Sequence, residues 1–213
     1  AGCSGDKDET TGPTGTTPDD ELITSFTVVP GPIPGVMIAT LETTEPVTAT
    51  VAYGLTGGSL DTSIPTVTAE GTTHTMTVLG VKTGKQYDFQ AQLTVAGEAA
   101  TSDVVTAQVT PATVSVPTFS VKVWEPSLAC TPDGFVLLSY LGANNSGIAV
   151  LDRDGDIVWS LPYANTNVQL SRSRPGLDGT SFTYTTADGD RKEEIGQIVR
   201  QPLDGSAATV TYT

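Results

Sequence analysis

The stretch GIAVLDRDGDIVW (residues 147–159) decides the architecture of the second half of the chain. Two apolar runs flank a short polar segment, and the second run closes on Trp159. Aspartate and glycine tolerate the positive φ angles of a tight turn, so Asp152 and Gly155 are placed where a hairpin has to reverse. The pattern predicts strand, turn and strand.

A second copy of this pattern follows further along the chain. Residues 132–140 align with residues 177–184, and residues 147–150 align with residues 196–199. The Asp-Gly pair at 154–155 then aligns with the Asp-Gly pair at 204–205. Repeats of roughly 45 to 50 residues with about four short strands each are typical of β-propeller blades. Closed propellers have about 4 to 8 blades, so residues 118–213 are predicted to hold about two blades of an incomplete propeller. We expect such a piece to expose an unpaired strand edge and to associate when it is expressed alone.

The hairpin at 147–159 resembles the strand, turn and strand of bacterial arylsulfotransferase propellers and, more loosely, quinoprotein-type blades. That family places a β-sandwich before its propeller, and the resemblance implies sulfuryl transfer between phenolic compounds. Its catalytic histidine has no counterpart here, because His74 is the single histidine and lies in the first domain. We therefore assign no catalytic residue, and we expect the catalytic blades outside these 213 residues.

The first domain is predicted at residues 22–112. Six or seven short alternating runs, separated by turn residues and including separate runs at 36–41 and 49–54, are typical of a β-sandwich. The stretch VKTGKQYDFQ (residues 81–90) is similar to fibronectin type III domains, in which an apolar residue leads through a glycine turn to a tyrosine. The resemblance implies that Tyr87 forms a tyrosine corner, its hydroxyl bonding back to the upstream backbone. Thr83 stands where that family commonly has proline, and no early tryptophan is present.

The first 21 residues contain the segment AGCSGDKDE and then a Gly, Thr, Pro and acid mixture that cannot bury enough apolar area to fold. The opening resembles a bacterial lipobox, which implies lipidation of Cys3 and a disordered acidic tether. The other interpretation is an ordinary cysteine in a flexible terminus. If Cys3 is lipidated, Cys130 is a buried thiol or the partner of a cysteine beyond residue 213, and a Cys3–Cys130 disulfide is the third option.

Composition supports an all-β protein and excludes several classes. The chain has 36 Thr and 22 Val, and β-branched side chains favour pleated strands. A net charge of −14 leaves no basic stripe, which argues against a nucleic-acid-binding protein. No apolar run is long enough to span a bilayer, and glycine does not recur every third residue as in collagen.

No metal or cofactor site is predicted. Asp152, Asp154 and Asp156 have the alternation of a calcium loop, but Ile157 replaces the required glycine and Tyr163 the glutamate, which favours a plain hairpin turn. His74 has no partner cluster and is interpreted as structural. Aromatic side chains in strands usually belong to the core. Four of them are nevertheless candidates for a sugar- or phenol-binding surface: Trp124, Tyr140, Trp159 and Tyr163.

The sequence thus predicts the N-terminal part of a secreted envelope protein. Its membrane contact is the lipid anchor alone, and its ligand in the full-length protein is a small phenol, a glycan or a protein. The alternative is a non-enzymatic binding or adhesion module, with the sandwich as spacer and the propeller for a glycan or protein ligand.

Overall fold

The computed structural model describes residues 22–64, 67–112, 134–141, 146–163, 168–177, 179–188 and 196–212. The all-β prediction is confirmed, and every strand pairing is antiparallel. The strands are β1 Ile23–Pro30, β2 Met37–Leu55, β3 Thr62–Ser63, β4 Gly71–Val78, β5 Gln86–Val95, β6 Glu98–Thr101, β7 Val105–Gln108, β8 Val136–Leu141, β9 Ser146–Leu151, β10 Ile157–Tyr163, β11 Val168–Pro175, β12 Ser181–Asp188, β13 Ile198–Pro202 and β14 Thr209–Tyr212. Over these ranges, no helix has the length and apolar character to cross a membrane. Cys3, Trp124 and Cys130 lie outside the described residues.

The first unit, β1 to β7, is sandwich-like and is organised by one long strand. The first part of β2 pairs with β1 and β4, and its last part pairs with β3 and β5, while β5 also pairs with β6 and β7. The sequence pattern suggested two separate strands at 36–41 and 49–54. The structure joins them into 19 residues, with the pairing to β4 shifting register between Glu42 and Val47. Pro46, which has no amide proton to donate, lies within that shift.

Alternation along these strands builds the core of the first unit. In β5 the odd-numbered side chains from Tyr87 to Leu93 are buried, as expected for a strand with one face inward. Tyr53, Tyr87 and Phe89 form an aromatic cluster with ring centroids 6.2 to 6.3 Å apart.

The second unit, β8 to β14, contains two sheets. One has the order β10-β9-β8 and the other β11-β12-β13-β14. The repeated segments occupy equivalent places, because β8, β9 and β10 follow one another as β12, β13 and β14 do. The two Asp-Gly pairs fall in the β9–β10 and β13–β14 turns, where Gly155 has φ of 86° and Gly205 of 81°.

The second core includes residues from the first unit. Val36, just before β2, is fully buried among Ile148, Val158 and Trp159, and Ile33, Ile38 and Leu79 pack against the same cluster. The two units therefore share apolar packing.

Candidate functional site

Among the described residues, the densest cluster of charged side chains lies where the two units meet. The ammonium of Lys82, from the β4–β5 loop, lies 3.1 Å from Asp152 Oδ2, 2.8 Å from Asp154 Oδ2 and 2.7 Å from Asp156 Oδ2. The three carboxylates bring ligand oxygens within 4.8 Å of one another. We call residues 152–156 the aspartate turn, and the contact with Lys82 the lysine clasp.

Local hydrogen bonds shape the aspartate turn before Lys82 is considered. Asp152 Oδ1 accepts the amide protons of Asp154 at 3.0 Å and Asp156 at 2.9 Å. The amide of Gly155 donates to the carbonyl of Asp152 at 3.2 Å, which closes the reversal. An aspartate that bonds to the backbone two residues on is a regular turn former. The sequence therefore positions three alternate carboxylates on one short loop.

Lys82 is positioned by Tyr87, a residue of the same unit. The hydroxyl of Tyr87 accepts the amide proton of Lys82 at 3.0 Å, which fixes the loop to the start of β5. Burial raises the pKa of the Tyr87 phenol, so it stays protonated at neutral pH. The next amide, that of Thr83, donates to the carbonyl of Ile157 at 2.8 Å and ties the same loop to β10.

The electrostatics of the lysine clasp favour the charged forms. Burial lowers the pKa of the Lys82 ammonium, but hydrogen bonds to Asp154, Asp156 and Asp152 outweigh it and hold the pKa above its ordinary value of 10.5. The hydrogen bond from Lys82 holds the pKa of Asp154 below its ordinary value of 3.8. Against three carboxylates stand the Lys82 ammonium and Arg153, whose charge also lowers the pKa of Asp154.

Apolar packing continues the contact beside the lysine clasp. Trp159 is buried, its indole N–H donates to the carbonyl of Leu203 at 3.0 Å, and its ring meets Phe182 edge-on with centroids 5.0 Å apart. Gly35 has φ of 87°, and a β-carbon there would collide with the carbonyl of Val158.

An apolar cavity of about 280 Å³ adjoins this packing. It lies between the units, and none of the described residues that line it is titratable: Leu79, Gly80, Phe135, Leu137, Val150, Val158, Trp159, Pro175, Phe182 and Leu203.

The remaining candidates lie apart from this site. His74 is buried in β4, opposite Leu41, and its Nε2 is 2.8 Å from the carbonyl of Gly71, which satisfies the ring locally. Tyr140 is buried in the second unit. The side chain of Tyr163 lies outside the described set, as do Cys3 and Trp124.

Sequence reasoning missed Lys82 as the partner of the aspartate turn. The bonded pairs are separated by 72 and 74 residues, and a lysine in the loop Lys82-Thr83-Gly84-Lys85 carries no signal of a distant partner. Chemically, three carboxylates around one ammonium can fix two units against each other. Oxygen ligands of this kind also suit hard cations, but Lys82 already supplies a positive charge at this position.

Fold and site together define an all-β chain of two antiparallel units joined by a lysine clasp and a shared apolar core. No family model matches the chain, and no curated protein is significantly similar to it.

Proposed function

We propose that the chain is the anchoring part of a lipid-anchored envelope protein, in which a fibronectin type III-like sandwich holds the first blades of a β-propeller in a fixed orientation. The observation that carries this proposal is the contact between the units, where the lysine clasp and the buried Val36 act together. Charged and apolar contacts at one boundary restrain rotation more than a linker alone does.

The strand arrangement supports the sandwich family. Three strands, β1, β2 and β4, form one group, and the end of β2 with β3, β5, β6 and β7 forms the other. The bond from the Lys82 amide to Tyr87 is of the kind that a tyrosine corner makes.

The meander order of β11 to β14 supports propeller blades. Each strand pairs with its sequence neighbour, as in a blade, and β11 packs beside β8 of the preceding sheet. About two blades do not close a propeller, so the proposal requires further blades in a longer protein.

The fixed orientation of the two units relative to each other is tested with spin labels at Thr73 in β4 and Thr209 in β14. We expect a single narrow distance distribution by pulsed electron paramagnetic resonance, and a broader one in Lys82→Met. Lys85→Met, which removes an exposed lysine from the same loop, is the control. A broad distribution in the unsubstituted chain would contradict the proposal.

The anchor is tested in cells that make the protein from its full gene. We expect labelled fatty acid to enter the protein, and Cys3→Ser to abolish the label and release the protein from the membrane fraction. Label retained in Cys3→Ser would exclude Cys3 as the lipidated residue.

For the longer protein we propose arylsulfotransferase-like sulfuryl transfer between phenols, supported by the resemblance of residues 147–159. The assay is transfer of sulfate from 4-nitrophenyl sulfate to phenol by the full-length protein. No transfer over a panel of phenolic acceptors would leave the binding module as the better account.

The apolar cavity favours a second candidate, binding of a small phenol without chemistry. A dry cavity of about 150 Å³ accepts benzene, so the space beside Trp159 is large enough for one aromatic ring. We expect 4-nitrophenol to quench tryptophan emission, and Trp159→Phe to remove that quenching. Equal quenching in both proteins would contradict this candidate.

A further inference from the structure

Strand β11 contains an irregularity next to two arginines. Ser171 pairs with Thr185 of β12, but Arg174 pairs with Thr183, so β11 has one residue more than its partner across this interval. This is a β-bulge. Ser139 of β8 fixes it, because its Oγ accepts the amide proton of Ser173 at 3.2 Å and lies 2.8 Å from the Ser173 hydroxyl.

Arg172, inside the bulge, has an unfavourable backbone conformation. Its φ is 52°, in the left-handed region, where bulges of this type usually have glycine. Ala96 is the other non-glycine residue with positive φ among the described residues, and it lies in the two-residue β5–β6 turn, where such angles are normal. Strain of this kind inside a sheet is found at functional sites more than elsewhere. Arg172 is therefore a candidate functional residue.

The register places further basic and hydroxyl groups beside the bulge. Arg174 pairs with Thr183 of β12, and Thr183 pairs with Arg200 of β13. Directly paired residues share one face of a sheet, so Arg174 and Arg200 stand on the same side, about 10 Å apart across two strand spacings. That face is opposite the one on which Phe182 and Tyr184 are buried. The Nε of Arg200 donates to Ser181 Oγ at 3.0 Å, and this hydrogen bond holds the Nε end of the Arg200 guanidinium in place.

The charge of this surface contrasts with that of the whole chain. Arg172, Arg174 and Arg200 are exposed, and they are three of 10 Lys and Arg residues in a chain with a net charge of −14. Guanidinium groups bind carboxylate and phosphate oxygens in pairs, and a threonine hydroxyl adds a donor between them. Three arginines suit one anionic group rather than a long nucleic acid, which requires many phosphate contacts at once.

We propose that the β11 bulge and Arg200 form a binding site for an oxyanion, a phosphate or carboxylate group carried by a small molecule or by an acidic polysaccharide. We call Arg174, Thr183 and Arg200, together with Arg172 in the adjoining bulge, the arginine surface. This site goes beyond the anchoring role proposed above, and it involves neither the lysine clasp nor Cys3.

The test is calorimetric titration of the whole 213-residue chain at low salt. One arm uses inorganic phosphate, and the other uses polygalacturonate as a carboxylate polymer. Binding of phosphate alone assigns a free anion, and binding of the polymer alone assigns an acidic polysaccharide. Binding of neither overturns the proposal.

The decisive variant is Arg172→Gly, because binding and stability should change in opposite directions. We expect affinity to fall by about tenfold or more, the effect of losing one hydrogen-bonded charge, and the melting temperature to rise, because glycine adopts the left-handed conformation without strain. Arg174→Gln should weaken binding similarly. Lys85→Gln, which removes one exposed positive charge from the other unit, should change affinity by less than about twofold.

Two results would overturn the proposal after binding is seen. One is unchanged affinity in Arg172→Gly. The other is an equal loss in Lys85→Gln, which would show attraction to net charge rather than to the arginine surface.

Discussion

Replacement of Lys82 by methionine tests the lysine clasp directly. Methionine keeps most of the apolar stem and removes the ammonium, so the change isolates charge and hydrogen bonding. Three carboxylates whose ligand oxygens lie within 4.8 Å of one another then lose their shared cation. We expect the variant to fold but to be less stable.

The expected loss of stability in Lys82→Met depends on how far the charged side chains of the lysine clasp are exposed to solvent. The side chains of Lys82 and Asp152 are 22% and 17% exposed, whereas that of Asp154 is 75% exposed and contributes little. Hydrogen bonds to charged groups contribute about 1.5 to 3 kcal/mol when they are shielded and much less on an open surface. We therefore expect a loss of about 2 kcal/mol at low salt, which for a chain of this size lowers the melting temperature by about 4 to 8 °C.

The pH dependence of this loss has a definite direction. The pKa of Lys82 is raised, so its contribution is complete below 10.5 and is lost as the pH rises through the raised value. The pKa of Asp154 is lowered, so its contribution is present above 3.8 and is lost as the pH falls through the lowered value. The difference between the parent chain and Lys82→Met should be flat from about pH 5 to 9 and should shrink in acid.

The assay is urea unfolding followed by circular dichroism, at about 0.02 M and 1 M salt and across this pH range. Lys85→Met is the matched control, because it makes the same chemical change at an exposed lysine in the same loop. A loss below about 0.5 kcal/mol, or an equal loss in Lys85→Met, would refute the reasoning. So would a loss that does not diminish at high salt, since screening should weaken the lysine clasp.

Three other substitutions test the packing around the site. Gly35→Ala should destabilise the chain by about 3 kcal/mol or more, because it combines an unfavourable φ with a collision at Val158. Gly97 has φ of 91° but open space around it, so Gly97→Ala should cost only about 1 kcal/mol. Equal melting temperatures for the two variants would be inconsistent with the collision. Tyr87→Phe removes the acceptor of the Lys82 amide and should cost about 1 to 3 kcal/mol by urea unfolding, and an unchanged midpoint would show that water replaces it. Trp159→Leu should cost about 2 to 4 kcal/mol by thermal unfolding and abolish the near-ultraviolet signal of the buried indole, and retention of both signal and stability would mean that the second core does not depend on Trp159.

The sequence predicted those features that depend on local chemistry. Asp-Gly pairs mark turns because their backbone demands are local, and the turns at Gly155 and Gly205 lie where the pattern placed them. The apolar alternation of residues 86–95 likewise predicted a strand, which the structure has as β5. These signals need only a few neighbouring residues.

Features that depend on distant partners were not predictable in this way. The sequence pattern predicted separate strands at 36–41 and 49–54, whereas the structure joins them in β2, which pairs with β1, β4 and β5. The lysine clasp joins loops more than 70 residues apart, and the strain at Arg172 arises from a register that no single strand determines.

The burial of Val36 in the second core also couples the folding of the two units. The loop that presents Val36 is closed within the first unit, where the amide of Gly31 donates to the carbonyl of Val36 at 2.8 Å. Because the second core includes this residue of the first unit, we expect the second unit to complete its core only when that loop is in place.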